Sequence, residues 1–136
     1  MANALYDIGR EGFLAGNLDW DANDVRTVLV DEGADTIDLA VDQDLADRAG
    51  GARIATLGSS VTSKTTTAGV ADCADFTWSS VSGAQSESVD FYYHTGTEAT
   101  STLICNIDTA TGLPVTPNGG DITFTVDSGS NKLFKL

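Results

Sequence analysis

The chain is short of positive charge. Its 136 residues carry seven lysines and arginines against twenty aspartates and glutamates, a formal net charge of −13. Such a surface repels phosphate backbones and anionic lipid headgroups, so neither a nucleic acid nor a membrane is expected as a partner. Long apolar runs are also missing, which excludes a membrane-spanning helix. Asp7, Arg10 and Glu11 interrupt the segment where a signal peptide would need its apolar core, so cytosolic synthesis is expected. Histidine occurs once, at His94, and no nucleophile elbow, phosphate loop or dinucleotide fingerprint is present. The two cysteines, Cys73 and Cys105, form no Cys-x-x-Cys or Cys/His cluster, which disfavours zinc. Two readings stay open for them: buried free thiols in a reducing compartment, or a disulfide between adjacent strands, which needs Cα atoms within about 7 Å.

What is abundant is aspartate. Aspartate favours turns and caps over helix interiors, which suits a loop-rich β protein. High net charge also costs less in salty water, where it is screened. At this length one domain spanning residues 1–136 is expected, and burial of roughly two thirds of the unfolded surface needs no metal or disulfide.

Periodicity predicts a mainly β fold with a short N-terminal helix, either an antiparallel β-sandwich or a partly closed barrel. The helix is predicted over residues 3–15, with Asn3 as N-cap, Asp7 near its positive end and Gly16 in the left-handed position after it. Leu5, Ile8 and Gly12 share one face. Gly9 and Gly12 weaken the helix, and two readings stay open for them: a place where another segment packs tightly, or a marginal helix held only by tertiary contacts.

Val25–Val30 reads as a strand buried on both faces. The acidic stretch 31–50 is ambiguous, with Leu39 to Arg48 as either a short helix or an ordered loop over the sheet. Residues 52–57 read as a strand, and the Ser/Thr-rich 59–67 as an exposed edge strand or hairpin. Phe76 and Trp78 alternate with polar neighbours. Val89, Phe91 and Tyr93 alternate with Asp90, Tyr92 and His94, predicting a half-buried strand with the second set outward. Leu103, Cys105 and Ile107 form an inward set, as do Ile122, Phe124 and Val126. Ser128 to Asn131 breaks the chain before a last strand, which must be tied into a sheet to keep Leu133, Phe134 and Leu136 out of water.

Chemistry-bearing constellations are few. An outward His94 lacks a nucleophile and an orienting carboxylate, as general-base catalysis requires. Asp19, Asp21 and Asn23 match the first ligand positions of a calcium loop, but Asp24 stands where glycine is needed and Val30 where the bidentate glutamate belongs. Accidental carboxylate pairs are inevitable among twenty acids, so they do not argue for glycoside hydrolysis. Trp20, Trp78, Tyr92 and Tyr93 could stack on sugar rings, although tryptophans more often anchor cores and interfaces. No catalytic residue, cofactor or metal is expected, and the protein reads as non-enzymatic.

Four segments resemble small virion proteins of tailed bacteriophages: 2–16, 25–31, 53–72 and 108–136. They keep the same order and cover more than half of the chain. The most specific pieces are Ala-Leu-Tyr-Asp at 4–7 and Gly-Leu-Pro-Val-Thr-Pro-Asn-Gly-Gly-Asp at 112–121. The resemblance implies a structural protein of the virion, most of all a head decoration (cement) protein. Such a protein binds the major capsid protein on the outer capsid surface and contacts copies of itself, with a homo-oligomer such as a trimer as the expected state. It would be made in the bacterial host cytoplasm. A tail or head–tail connector protein is the alternative within that class, and a carbohydrate-binding module the alternative outside it. Residues 1–16 are the candidate anchor segment. Leu5, Tyr6, Ile8, Phe13, Leu14, Phe134 and Leu136 are the candidate capsid or self-interface residues.

Overall fold

The computed structural model of the chain describes residues 3–130 and 132–136. The fold is mainly antiparallel β with one α-helix near the N-terminus, and its sheets are not closed into a barrel. In chain order the elements are β1 (Ala4–Leu5), α1 (Asp7–Ala15), β2 (Val25–Val30), β3 (Arg53–Thr56), β4 (Val70–Ala71), β5 (Phe76–Trp78), β6 (Ser88–Tyr93), β7 (Leu103–Ile107), β8 (Ile122–Phe124) and β9 (Phe134–Lys135). A five-stranded sheet has the order β1-β7-β6-β2-β3, while β4 pairs with β9 and β5 with β8.

The strand β2, between β6 and β3, is buried on both faces, as its near-continuous apolar run predicts. On one face Val25 and Leu29 join Val89, Phe91, Cys105 and Ile107. The two small sheets cover this face with a chain of aromatic contacts. Phe76 stacks on Phe124 at 5.0 Å, and Phe91 meets Phe76 edge-on at 5.8 Å. Trp20 then bridges from Phe91 to Phe134. Pairs of this kind add about 0.5–1.5 kcal/mol each beyond area burial.

The opposite face is not the solvated one that the alternation in β6 predicts. Asp90 and Tyr92 are fully buried there, with Tyr6, Val28, Val30, Leu45 and Leu103. The cover is the acidic 31–52 segment, an ordered loop with a short 3-10 turn at Leu45–Asp47. Its carboxylates hold its shape. Asp44 and Asp47 cap the turn reciprocally, and Asp38 accepts from the Ala40 amide. Backbone bonds then fasten it to the sheet, from Leu103 N–H to the Gln43 carbonyl and from Leu45 N–H to the Ser101 carbonyl.

Beneath this loop lies a sealed polar cluster. Arg48 has no exposed surface and pairs with three carboxylates, Asp90 at 3.0 Å, Asp35 at 3.1 Å and Asp42 at 2.9 Å. Asp90 also accepts from the Tyr6 hydroxyl at 2.6 Å and the Asn106 amide at 2.9 Å. Burial pushes the Asp90 carboxyl above its ordinary range, opposed by the Arg48 charge and by these donors. Burial works against the Arg48 charge, yet Asp90 and the other partners together hold its pKa above the usual value.

Several local readings need correction. The helix starts at Asp7 with Tyr6 as N-cap, because residues 4–5 pair with β7 as a strand. Asn3 does not cap it. Its carboxamide instead clamps the 108–109 turn, accepting from both amides at 2.9 Å. Gly16 does take the left-handed position, at φ 77°. In β7 a bulge at Ile104 separates Cys105 from Leu103, which therefore faces the loop side and not the side of Cys105 and Ile107. Residues 59–67 form no strand, apart from an isolated bridge between Thr65 and Asp72. The last strand is tied into a sheet against β4, with Leu133 and Phe134 buried, but Leu136 stays exposed. Of the predicted break before it, Asn131 lies outside the described residues.

The two helix glycines do mark close packing. A methyl group on Gly9 would stand 2.6 Å from the Ile104 carbonyl oxygen, and one on Gly12 would stand 2.7 Å from the Leu18 side chain. Helix propensity alone makes Gly→Ala stabilising by about 1 kcal/mol. At Gly9 the backbone contact reverses the sign, so Gly9→Ala destabilises by about 1–3 kcal/mol. Urea denaturation measures this, and a stabilised Gly9→Ala would refute the close approach of α1 to β7.

Candidate functional site

The first and last segments of the sequence meet on one side of the molecule. The β9 strand sits next to α1, with the Phe13 and Phe134 rings 5.9 Å apart. A crevice of about 350 Å³ opens there, lined by Phe13, Leu18, Trp20, Ala71, Phe134 and Leu136 among others. A larger groove of about 1180 Å³, which shares Phe134 with the crevice, is bordered by β1, β8 and the residues around β9.

The seven predicted interface residues divide by burial. Leu5, Tyr6 and Phe134 lie inside the fold, Leu5 and Phe134 in the aromatic core and Tyr6 on the polar cluster. Ile8 and Phe13 are half-buried. Leu14 is 90% exposed and Leu136 62% exposed. Among the described residues Val41, on the acidic loop, is the one other large apolar side chain so exposed. Phe13, Phe134 and Leu136 share the crevice wall, and Leu14 follows Phe13 on α1. The accessible part of the predicted set is thus Leu14 and Leu136, with the exposed edges of Ile8 and Phe13. Residues 1 and 2 of the candidate anchor lie outside the described residues.

The other candidates are dispersed. His94 is half-buried, and its ring lies 6.3 Å from that of Tyr92. Its backbone donates to the Asp24 carbonyl. Asp24 is engaged by Arg26 in a two-point ion pair, which holds the carboxyl below its usual range. The 19–24 segment is a self-capping turn: Asp19 accepts from the Asp21 and Ala22 amides, and Asn23 accepts from the Asp19 amide. Among the described residues no three His, Cys, Asp or Glu side chains converge as metal ligands. Trp20, Trp78 and Tyr92 are buried and offer no face to a sugar, and Tyr93 is half-buried.

Sequence reasoning missed Arg48, Asp90 and Asn106 as interior polar residues. A signal existed in the acid set between Val89 and Phe91 of an otherwise apolar strand. The cluster's inner members, Arg48, Tyr6, Asp90 and Asn106, are closed to solvent, so they hold the fold together and do not meet a substrate. Among the described residues no helix is long and apolar enough to cross a membrane.

Both cysteines are free and buried. Burial, then the neighbouring Asp72 and Asp75 charges, push the Cys73 thiol up to about 12, and burial raises Cys105 well above its ordinary value. Neither is a nucleophile near neutrality. Ellman's reagent at about pH 8 should leave both unmodified in the native protein and titrate both after unfolding. Rapid native labelling of either would contradict their placement. Comparison with known families matches no family model to the chain, and comparison with curated proteins finds no similar sequence.

Proposed function

We propose that the protein is a non-enzymatic structural protein of a tailed-phage virion, a decoration or cement protein on the outer surface of the major capsid protein lattice. The reading starts from the resemblance of the four sequence segments. The observation that carries it to a surface is the exposure of Leu136 on the wall of an aromatic crevice, with Leu14 exposed next to Phe13 on α1. Isolated exposed apolar residues need no explanation. Here Leu136 lines a concavity whose walls include Phe13 and Phe134, an arrangement suited to an apolar anchor from another protein.

The rest of the molecule fits such a role. The ordered first and last segments are hydrogen-bonded into sheets, which resists proteolysis. A strongly acidic exterior keeps particles soluble and apart. Weak binding at each site suffices on a lattice, because contacts with capsid and neighbouring copies add up.

The test uses purified particles that carry the protein. Cryo-electron microscopy should show many symmetric copies on the outer shell, with Leu14 and Leu136 against a neighbour. The double substitution Leu14→Asp with Leu136→Asp should lower particle occupancy by about tenfold or more and leave the melting midpoint unchanged, since both residues are exposed. Density confined to tail or neck, or full occupancy by the double variant, would overturn the reading.

A further inference from the structure

A third hollow, of about 190 Å³, lies beside α1. Pockets for drug-sized molecules run roughly 300–1,000 Å³, so this one fits a single side chain or a group of that size. It is lined by Ile8 and Glu11 of α1 and by Asn17 and Leu18 from the turn after the helix. Tyr93 at the end of β6 and Thr102 ahead of β7 complete it. Ile8, Tyr93 and Thr102 are half-buried, and Glu11 and Asn17 are exposed.

One residue sets its charge. Glu11 is the only charged side chain in the lining, and among the described residues it pairs with no cation. Its helix neighbour Arg10 forms an ion pair with Asp7 at 3.4 Å, so those two charges cancel. Arg26 and Asp24 flank Val25, the cross-strand partner of Tyr93, and pair with each other at 2.9 Å. Glu98, just before Thr100, pairs with Arg53 at 2.8 Å. Asp19, next to Leu18, caps its own turn and adds a second negative charge nearby. The one histidine, His94, does not line the hollow, and its ring lies 6.3 Å from that of Tyr92. An uncompensated carboxylate therefore remains at the hollow, on a chain of net charge −13. Such a field repels anions and draws cations.

We propose that this hollow takes a lysine side chain from a partner protein. Lysine packs its aliphatic stem along apolar surface while its ammonium reaches for acceptors. Ile8, Leu18 and Tyr93 supply the apolar surface, and the Glu11 carboxylate supplies the counter-charge. Asn17, Tyr93 and Thr102 bring side-chain oxygens for the remaining ammonium donors. An aromatic ring beside an ammonium adds cation–π attraction. A purely apolar occupant would take water from the Glu11 carboxylate and give nothing back. The inference does not rest on the virion reading. The hollow shares Leu18 with the aromatic crevice, but Leu14, Phe134 and Leu136 play no part in it. Occupancy on particles tests one proposal and binding in solution the other.

The probe is the tripeptide Gly-Lys-Gly, capped at both ends, titrated into the isotopically labelled full chain and followed by amide chemical shifts. Saturable shifts should concentrate at Ile8, Glu11, Asn17, Leu18, Tyr93 and Thr102. Glu11→Gln should weaken binding by about fivefold and melt like the parent, because Glu11 is exposed. Asp21→Asn removes the same charge from an exposed residue outside the hollow. It should change the affinity by less than about twofold at physiological salt, where screening is strong beyond about 8 Å. Replacing the lysine by norleucine, which keeps the stem and drops the ammonium, should abolish binding. The proposal is overturned if no saturable shifts appear at these residues, or if the norleucine peptide binds as well. Equal weakening by Glu11→Gln and Asp21→Asn would also overturn it, because the attraction would then be diffuse. So would displacement of the lysine peptide by a neutral hexose, which would make the hollow a sugar site.

Discussion

The Arg48–Asp90 pair is the constraint on which the rest of the structure depends. It joins the acidic 31–52 loop to the middle of the five-stranded sheet, at a site closed to bulk solvent. A charge in such a place is costly unless its partners are complete. Here the geometry completes them. Asp90 has three donors in Arg48, Tyr6 and Asn106, and Arg48 has four acceptors in Asp90, Asp35, Asp42 and the Tyr6 hydroxyl. Tyr6 also follows β1 and is the N-cap of α1, so one cluster sets the loop, the helix entry and the sheet face together.

This cluster explains why an acid-rich loop is ordered in a chain with so few cations. One guanidinium collects Asp35 and Asp42 from the loop and Asp90 from β6. Arg53 then closes the turn from outside by donating to the Leu45 and Arg48 carbonyls. Asp31, Asp38, Asp44 and Asp47 turn back on their own backbone as caps. Among the described residues the large apolar side chains left exposed are Leu14 on α1, Leu136 after β9 and Val41 on the loop.

Much of this was legible in the sequence. Val25–Val30 announced a strand buried on both sides, and the paired Gly9 and Gly12 left close approach by another segment as one of two readings. What misled was the alternation in Val89–Tyr93. Period-two patterning reports which residues share a face, not whether the polar face meets water. Asp90 and Tyr92 face a second core made by a loop far away in sequence, and no local pattern reveals such a cover. The bulge at Ile104 had no local marker either, so Leu103 was assigned to the wrong face. Asn3 fits an N-cap by residue type, but pairing of the next two residues with β7 overrode that preference. The exposed end of the predicted interface, Leu14 and Leu136, could not be separated from the buried Leu5 and Tyr6 without the fold.

The most direct test is a double-mutant cycle between Arg48 and Asp90, read by urea denaturation. Arg48→Met alone leaves a buried carboxylate unpaired, and Asp90→Leu alone leaves a buried guanidinium short of its partner. Each should destabilise by about 3–5 kcal/mol. The double variant should cost less than the sum by about 2 kcal/mol or more, because the charges are removed together. Additive effects within about 0.5 kcal/mol would mean that the two groups act independently, and the cluster would not be what holds the loop on the sheet.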